Sequence, residues 1–208
     1  QGEGRFYPPE LKQKDFFAYY AERYEAVEMD GSWYRMPAET AVASYKQAAP
    51  EGFKFCFKAP RQVTHMARLK EGAIEPLKFM LKRLEPMREH LGAILLQLPP
   101  NLKRDDERLK NFLGQLSGEI PAQKQWAIEF RNDSWNDATV EQILRDHNVA
   151  WVASDTDEKD AQRRDTADFH YARLRKLDYE GKSLDEWGAY FRQTGKECFV
   201  FCKHEDEG

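Results

Sequence analysis

WAIEFR, at residues 126–131, is a short apolar run that ends on charged side chains. Apolar runs of this length that are rich in aromatic and β-branched residues are typical of buried strands. Further runs of the same form are spread along the chain. They are YEAVEMD at 24–30, FKFCFK at 53–58, AILLQ at 93–97, AWVASD at 150–155, FHYARL at 169–174 and CFVFCK at 198–203. We therefore predict seven strands, most of which end on a polar residue.

Segments with helical spacing lie between most of these runs. They are residues 11–23, 40–47, 75–90, 104–116, 137–147 and 184–193. Strands that alternate with helices favour a parallel sheet with crossover helices. We predict an α/β fold, specifically a TIM-type (β/α)8 barrel whose eighth strand would precede Gln1. An open doubly wound sheet is the alternative, ranked second because no Gly-rich phosphate loop follows any strand.

The composition is that of a single globular domain, residues 1–208. No apolar run approaches the roughly 20 residues that cross a bilayer, so we predict no membrane partner. The net charge of −4 gives no support to nucleic-acid binding, which usually needs a basic face. Cys56, Cys198 and Cys202 match no metal spacing, and the last two would lie about 13 Å apart on one strand, too far for a disulfide. Reduced thiols predict a cytoplasmic protein.

Polar side chains gather on one face of the predicted strands. Residues two apart on a strand share a face, and the residues two positions before the terminal polar ones are mostly small, as a crowded barrel interior requires. These inner residues are Ala26, Cys56, Leu95, Ala127 and Ala153. Ligands bind at the carboxyl ends of parallel strands, so we predict one inward polar ring there. It comprises Glu28, Lys58, Gln97, Glu129 and Asp155, with Arg131, Tyr171 and Arg173 on the same faces.

Such a ring of opposite charges has two interpretations. Its members neutralise one another as a structural ion network, because buried charges are costly unless paired, or they perform acid–base chemistry. On the second interpretation, the catalytic candidates are Glu28, Lys58, Glu129 and Asp155. The candidates for substrate binding are Tyr34, Gln97, Arg131, Trp135, Tyr171 and Arg173.

A histidine lies close to the predicted strand ends. His65 follows Lys58 in a loop, where a histidine is either a surface residue or a ligand or proton shuttle. Carboxylate oxygens and imidazole together suit a divalent metal, which is the candidate cofactor, with a metal-free site as the alternative. The predicted ligands are Glu28, His65, Glu129 and Asp155.

A series of motifs in fixed order covers essentially the whole chain. It consists of Glu28, Ser32-Trp33-Tyr34-Arg35, Gly52-Phe53-Lys54-Phe55, Lys58-Ala59-Pro60, Thr64-His65, Gln97-Leu98-Pro99-Pro100, Glu129-Phe130-Arg131, Ser134-Trp135 and Tyr171-Ala172-Arg173-Leu174. The series resembles the YecE-like family, domain of unknown function 72. The resemblance implies a TIM-type barrel whose opening strand carries a Gly-Thr-Ser-Gly-Trp-like motif and which ends with a further helix. Since neither is found here, we expect a chain trimmed before Gln1 and after Gly208.

The chain departs from the family's pattern at two places near the predicted ring. Asn132 stands where a His often follows Glu-Phe-Arg, which weakens any scheme that needs a histidine there. Arg175-Lys176 replaces a frequent His-Gly. The resemblance implies a fold and a site but no reaction.

The residues support three hypotheses about function. The first is a metal-dependent hydrolase of phosphate esters or nucleic acid, with Lys58, Arg131 or Arg173 holding the phosphate. The second is a metal-free acid–base enzyme on a sugar-like substrate, with Lys58 as a Schiff-base former in one variant. The third is a module that binds a small polar or anionic ligand without turnover. We rank the enzyme schemes slightly ahead because the ring is more polar than a scaffold needs.

Overall fold

Strands and helices alternate along the chain in a computed structural model, which describes residues 7–156, 158–176 and 181–202. The strands are β1 (Ala26–Met29), β2 (Lys54–Lys58), β3 (Leu91–Gln97), β4 (Trp126–Glu129), β5 (Val149–Trp151), β6 (Ala153–Ser154), β7 (Phe169–Leu174) and β8 (Glu197–Cys202). The helices are α1 (Phe16–Ala21), α2 (Glu39–Ala48), α3 (Ile74–Leu84), α4 (Asp106–Glu119), α5 (Ala138–Asp146) and α6 (Gly181–Thr194). Each predicted run overlaps a strand, and each predicted helical segment overlaps a helix. Residue 203, the end of the last predicted run, lies outside the described residues.

All pairings between the strands β1 to β8 are parallel. β1 to β5 form one sheet in chain order, and β6, β7 and β8 form a second sheet. The predicted strand at 150–155 is divided at Val152, because β5 pairs with β4 whereas β6 pairs with β7. Within the described residues β8 has no hydrogen-bonded pairing with β1, so the sheet is not closed. The prediction of an α/β fold with parallel strands is confirmed.

Aspartate side chains fix where two of the helices begin. The Asp105 carboxylate accepts a hydrogen bond from the Arg108 amide at the start of α4 (3.0 Å), and the Asp137 carboxylate accepts one from the Thr139 amide at the start of α5 (2.8 Å). Such caps satisfy amides that have no partner inside the helix. Both helices therefore begin a short distance beyond the carboxyl ends of the strands that precede them, β3 and β4.

Two apolar clusters lie on opposite faces of the five-stranded sheet. Phe55, Phe57 and Ile128 belong to the outer cluster, which packs against the helices. The inner cluster contains small residues such as Cys56 and Ala127, as the alternation along the strands predicts. It also takes in side chains from β7 and β8, including Tyr171 and Phe199. The inner faces of the two sheets therefore pack against each other.

The predicted alternation fails in one strand run. Alternation with the predicted inner residue Ala153 would place Val152 on the helix-covered face, but Val152 belongs to the inner cluster. Ala153 was expected inside, but it packs with Trp187 and Phe191 of α6. The physical reason is the change of pairing partner at Val152, whose amide still donates to Ile128 of β4 (2.9 Å). A single alternation pattern does not extend across that change.

The three cysteines are free thiols. Cys56 is fully buried in the inner cluster, and this burial raises the pKa of its thiol. Within the described part of the chain, no helix is both long and apolar enough to cross a bilayer.

Candidate functional site

Arg173, at the carboxyl end of β7, joins two carboxylates across the interior. Its Nε and Nη2 atoms donate to Glu28 Oε1 at 3.0 and 2.7 Å, and its Nη1 donates to Glu129 Oε1 at 3.2 Å. The Arg173 side chain is 1% exposed. Glu28 stands on β1 and Glu129 on β4, so one guanidinium connects strands of both sheets. This pairing satisfies charges that would otherwise be costly to bury.

Two further side chains hold the same carboxylates. Tyr171 donates its hydroxyl to Glu28 Oε2 at 2.5 Å, and Gln97 donates its amide to Glu129 Oε2 at 2.5 Å. Each carboxylate therefore accepts hydrogen bonds on both oxygens. We call Glu28, Gln97, Glu129, Tyr171 and Arg173 the Arg173 network. The structure brings all five together, as the predicted ring requires.

The two carboxylates of the network differ in exposure and in pKa. The Glu28 side chain is 9% exposed, whereas Glu129 is fully buried. Burial raises the pKa of Glu28, and the neighbouring Arg173 offsets only part of this effect. Burial acts on Glu129 in the same direction, but the charges of Arg173 and Arg131 and the hydrogen bonds from Gln97 and Arg173 together lower its pKa. Glu28 is thus the better proton donor of the two, and Glu129 the more persistent anion.

Three cations stand between the network and solvent. Lys58 ends β2, Arg131 lies 3.5 Å from Glu129 Oε2, and Arg175 follows β7. We call Lys58, Arg131 and Arg175 the cationic rim. Among the described residues, neither the Lys58 amine nor the Arg175 guanidinium forms an ion pair or donates a hydrogen bond, although both are partly buried. Burial lowers the pKa of both groups.

An aromatic group lies beside Lys58. The Lys58 Nζ atom is 5.2 Å from the centroid of the Trp33 ring, and the edges of Tyr34 and His65 contact Trp33 at centroid distances of 4.6 and 5.0 Å. The indole Nε1 of Trp33 is buried and has no hydrogen-bond partner in the described part of the chain. Tyr34 is 71% exposed, so it is available to a ligand.

His65 lies at this rim in a π-helical turn, Gln62–Met66. Its Nδ1 forms a 2.8 Å hydrogen bond with the Thr64 hydroxyl. Burial, with Lys58, Arg68 and Arg131 nearby, lowers the pKa of its imidazole. The ring is therefore neutral at pH 7.

Asp155 lies apart from the network. It is 1% exposed, and its Oδ1 accepts a hydrogen bond from the Arg175 backbone amide at 2.5 Å. Ala153, two residues earlier, packs on the helix-covered side, so the predicted inward face of this pair is wrong. Asp155 connects the ends of β6 and β7, which places it as a support for Arg175.

Trp135 is buried in the outer cluster. Its ring is 1% exposed and stacks on Phe130 at a centroid distance of 4.7 Å, and its Nε1 donates to the Leu102 carbonyl at 2.8 Å. The predicted role of Trp135 in substrate binding is therefore not supported, because its ring is part of the outer cluster.

The predicted metal ligands do not fit a metal. Among the described residues, no three His, Cys, Asp or Glu side chains come together as a group that could hold an ion. Glu28 and Glu129 direct their oxygens to Arg173, Tyr171 and Gln97, and a guanidinium occupies the space between them. A cation site there would require these hydrogen bonds to break.

A cleft of about 810 Å³ borders the site beyond β4 and β6. Arg131 lines the cleft and also lies 3.5 Å from Glu129 Oε2, so this side chain borders both the cleft and the network. Trp151 forms part of the cleft wall, with the Arg164 guanidinium 4.0 Å from the Trp151 ring centroid.

Arg175 is the site residue that the sequence reasoning missed. It shares its strand face with Tyr171 and Arg173, and continuing the two-residue alternation one step past β7 would have found it. It was noted only as a departure from the family's usual His-Gly.

The family model described as "Protein of unknown function DUF72" matches residues 1–208. The chain belongs to this family. It is 30% identical to the UPF0759 protein YecE of Escherichia coli K12 over 114 residues, 54% of this chain and 40% of YecE. It is 27% identical to the UPF0759 protein YunF of Bacillus subtilis 168 over 137 residues, 62% of this chain and 47% of YunF. The match therefore spans less than half of the length of either relative.

Crystal structures of DUF72 family proteins share the fold. The one from Thermotoga maritima MSB8 has a TM-score of 0.79 at 24% identity, covering 97% of this chain and 86% of that chain. One from Enterococcus faecalis V583 has a TM-score of 0.75 at 20% identity, covering 92% and 87%. At these identities the likeness concerns the α/β fold alone.

Proposed function

We propose that the chain is a metal-free acid–base enzyme that moves protons on a small, anionic, sugar-like substrate. The observation that carries this proposal is the pair of carboxylates held by Arg173 with pKa values displaced in opposite directions. Pairs of titratable groups whose environments separate their pKa values are typical of acid–base sites. The cationic rim supplies the preference for an anion.

The roles of the two carboxylates follow from their exposure. Glu28 keeps some contact with solvent, and its raised pKa brings it closer to the operating pH, which favours proton transfer. Glu129 is fully buried, so it cannot touch a substrate and instead positions Arg173. We therefore assign Glu28 as the acid–base group and Glu129 as a positioning residue.

The substrate class follows from the charges at the rim. Lys58 and Arg175 have no anionic partner within the described residues, and Arg131 shares Glu129 with Arg173. A phosphate or carboxylate group on the substrate would supply the missing negative charge. The exposed Tyr34 ring offers an apolar face to a sugar-like carbon chain.

We also propose that the site is the mouth of a TIM-type barrel. Three observations support closure: one inner cluster draws on both sheets, Tyr171 of β7 reaches Glu28 of β1, and the Cα of Gly92 on β3 lies close to the Phe199 ring of β8. In such barrels the carboxyl ends of the strands carry the active site, and the Arg173 network lies at that end.

The hypothesis of a metal-dependent hydrolase is supported in part. The rim cations suit a phosphate ester, including one in nucleic acid, but the carboxylates that would bind the metal are taken up by Arg173. A ligand-binding module without turnover fits the rim equally well but gives no reason for the separated pKa values of Glu28 and Glu129.

The experiment combines binding and proton exchange. Thermal shift assays compare sugar phosphates and sugar acids with the matching neutral sugars, and NMR follows exchange of carbon-bound hydrogen with D2O. We expect the anionic compounds alone to stabilise the protein, and Arg175→Met to remove this effect while Arg108→Met, on the surface of α4, does not. Glu28→Gln should retain binding and lose exchange. Equal stabilisation by neutral sugars, or exchange that depends on added divalent metal, would contradict the proposal.

A further inference from the structure

Lys58, like Arg175, has neither an ion-pair partner nor a hydrogen-bond acceptor for its side chain among the described residues, and of the two side chains only the Lys58 amine can act as a nucleophile. The Lys58 Nζ atom lies 5.2 Å from the centroid of the Trp33 ring. The Lys58 backbone, by contrast, is firmly held, since the Ser32 hydroxyl donates to the Lys58 carbonyl at 2.5 Å. A fixed strand end thus presents a free amine to the mouth of the site.

The groups around the amine come from four elements. Asp30 follows β1, Glu129 ends β4, and Arg173 and Arg175 stand at the end of β7. The positive charge of Lys58 also lowers the pKa of His65, which lies in the loop after β2. Burial is the largest effect on the Lys58 amine and lowers its pKa, and the charges of Arg173 and Arg175 lower it further. Asp30 and Glu129 raise the pKa, but not enough to restore its usual value. A lysine whose pKa is lowered by burial and by neighbouring cations is the kind that acts as a nucleophile at neutral pH.

We propose that Lys58 forms an imine with the carbonyl carbon of an anionic aldehyde or ketone substrate. This inference rests on the proposed function and names the substrate class within it: the carbonyl compounds among the sugar-like anions. Arg131 and Arg175 hold the anionic group, and the amine reaches the carbonyl from β2.

The reaction balances without an oxidant, reductant or metal. The ammonium first releases one proton, and the nitrogen lone pair then attacks the carbonyl carbon while the carbonyl oxygen takes up a proton. The resulting carbinolamine expels water, and the C–O bond is replaced by a protonated C=N bond. The sum is one ammonium and one carbonyl giving one iminium and one water. The iminium makes the adjacent C–H acidic, which is where Glu28 acts.

Borohydride trapping tests the inference directly. The intact protein is incubated with glyceraldehyde 3-phosphate, dihydroxyacetone phosphate or pyruvate, reduced with sodium borohydride, digested and mapped by mass spectrometry. Lys54 is the matched control: it lies on the same strand and face, but its Nζ donates to the Glu89 carbonyl at 2.7 Å. We expect the reduced adduct on Lys58 and not on Lys54, and its complete loss in Lys58→Arg, which keeps the charge.

Binding of the matching alcohol, glycerol 3-phosphate, separates the two proposals. If it binds and the carbonyl compounds leave no adduct on Lys58, the imine is refuted while the anion-specific site stands. If an adduct appears equally on Lys54 and Lys58, the labelling is non-specific and the imine is refuted as well. If glycerol 3-phosphate and the carbonyl compounds all fail to bind, both proposals are overturned. An adduct confined to Lys58, with glycerol 3-phosphate binding to the unaltered protein, supports both.

Discussion

Replacing Arg173 by methionine tests whether the network is held together by charge. The substitution keeps the length of the apolar stem but leaves two carboxylates facing each other in the interior. Removing one partner of a buried ion pair costs about 3–5 kcal/mol of folding free energy. Glu28 is 9% exposed and can recover some hydration, whereas Glu129 is fully buried and, among the described residues, would keep only Gln97 and Arg131 as partners. We therefore expect a loss of about 4 kcal/mol at pH 7.

The loss should depend on pH with a defined sign. In the native protein the pKa of Glu129 is lowered, so its stabilising contribution is present above the unfolded pKa of about 4.3 and disappears as the pH falls through the folded value. In Arg173→Met the buried carboxylate takes up a proton more readily, so the variant is penalised mainly at higher pH. The difference between the two proteins should shrink from pH 7 towards pH 4.

Urea denaturation followed by circular dichroism measures this difference at both pH values. For a chain of this size a loss of about 4 kcal/mol corresponds to a melting temperature lower by about 12 °C. Arg145→Met is the control, because Arg145 forms an exposed pair with Glu141 at 2.9 Å and should cost less than about 1 kcal/mol. A loss at Arg173 as small as that at Arg145, or one that is the same at pH 4 and pH 7, would refute the reasoning.

Three further variants address packing and charge. In Gly92→Ala the new Cβ would lie 3.0 Å from Cys56 Sγ and 3.2 Å from the Phe199 ring, so we expect a loss of about 1–3 kcal/mol in urea denaturation; a neutral result would argue against the contact between the sheets. Lys58→Met removes a cation whose pKa burial lowers, so it should raise the melting temperature at pH 7, and this gain should shrink as the pH approaches about 10; a gain that persists there would contradict the lowered pKa. Trp135→Ala should cost about 3–5 kcal/mol and leave the affinity for sugar phosphates unchanged, and a selective loss of affinity would restore its predicted binding role.

The positions of strands and helices were largely predictable from the sequence. Short apolar runs and helical spacing reflect burial, and burial determines both elements. The break at Val152 gave no such signal, because the run from Ala150 to Ala153 is apolar throughout and either face can be covered. The prediction that Asp155 faces inward assumed that residues 150–155 form one strand, so it was wrong for the same reason.

The site was predictable in its residue types but not in its pairings. Alternation brought Glu28, Gln97, Glu129, Tyr171 and Arg173 to one place, and the structure joins them as a network. A sequence shows that carboxylates and cations share a face but not which atoms they contact, and this is why a metal site was predicted. Aromatic side chains carry the same ambiguity, since Tyr34 and Trp135 have similar sequence contexts and opposite exposure.

The ion pair between Arg173 and Glu28 joins positions that are 145 residues apart in the chain. Contacts of such high sequence separation form late in folding, because closing the intervening loop costs conformational entropy before the contact contributes any stabilisation. Both carboxylates are synthesised before their guanidinium, so a nascent chain that has not reached β7 carries them unpaired. Assembly of the site therefore coincides with docking of the second sheet onto the first, and ligand binding would report that the whole chain, and not merely its first five strands, has folded.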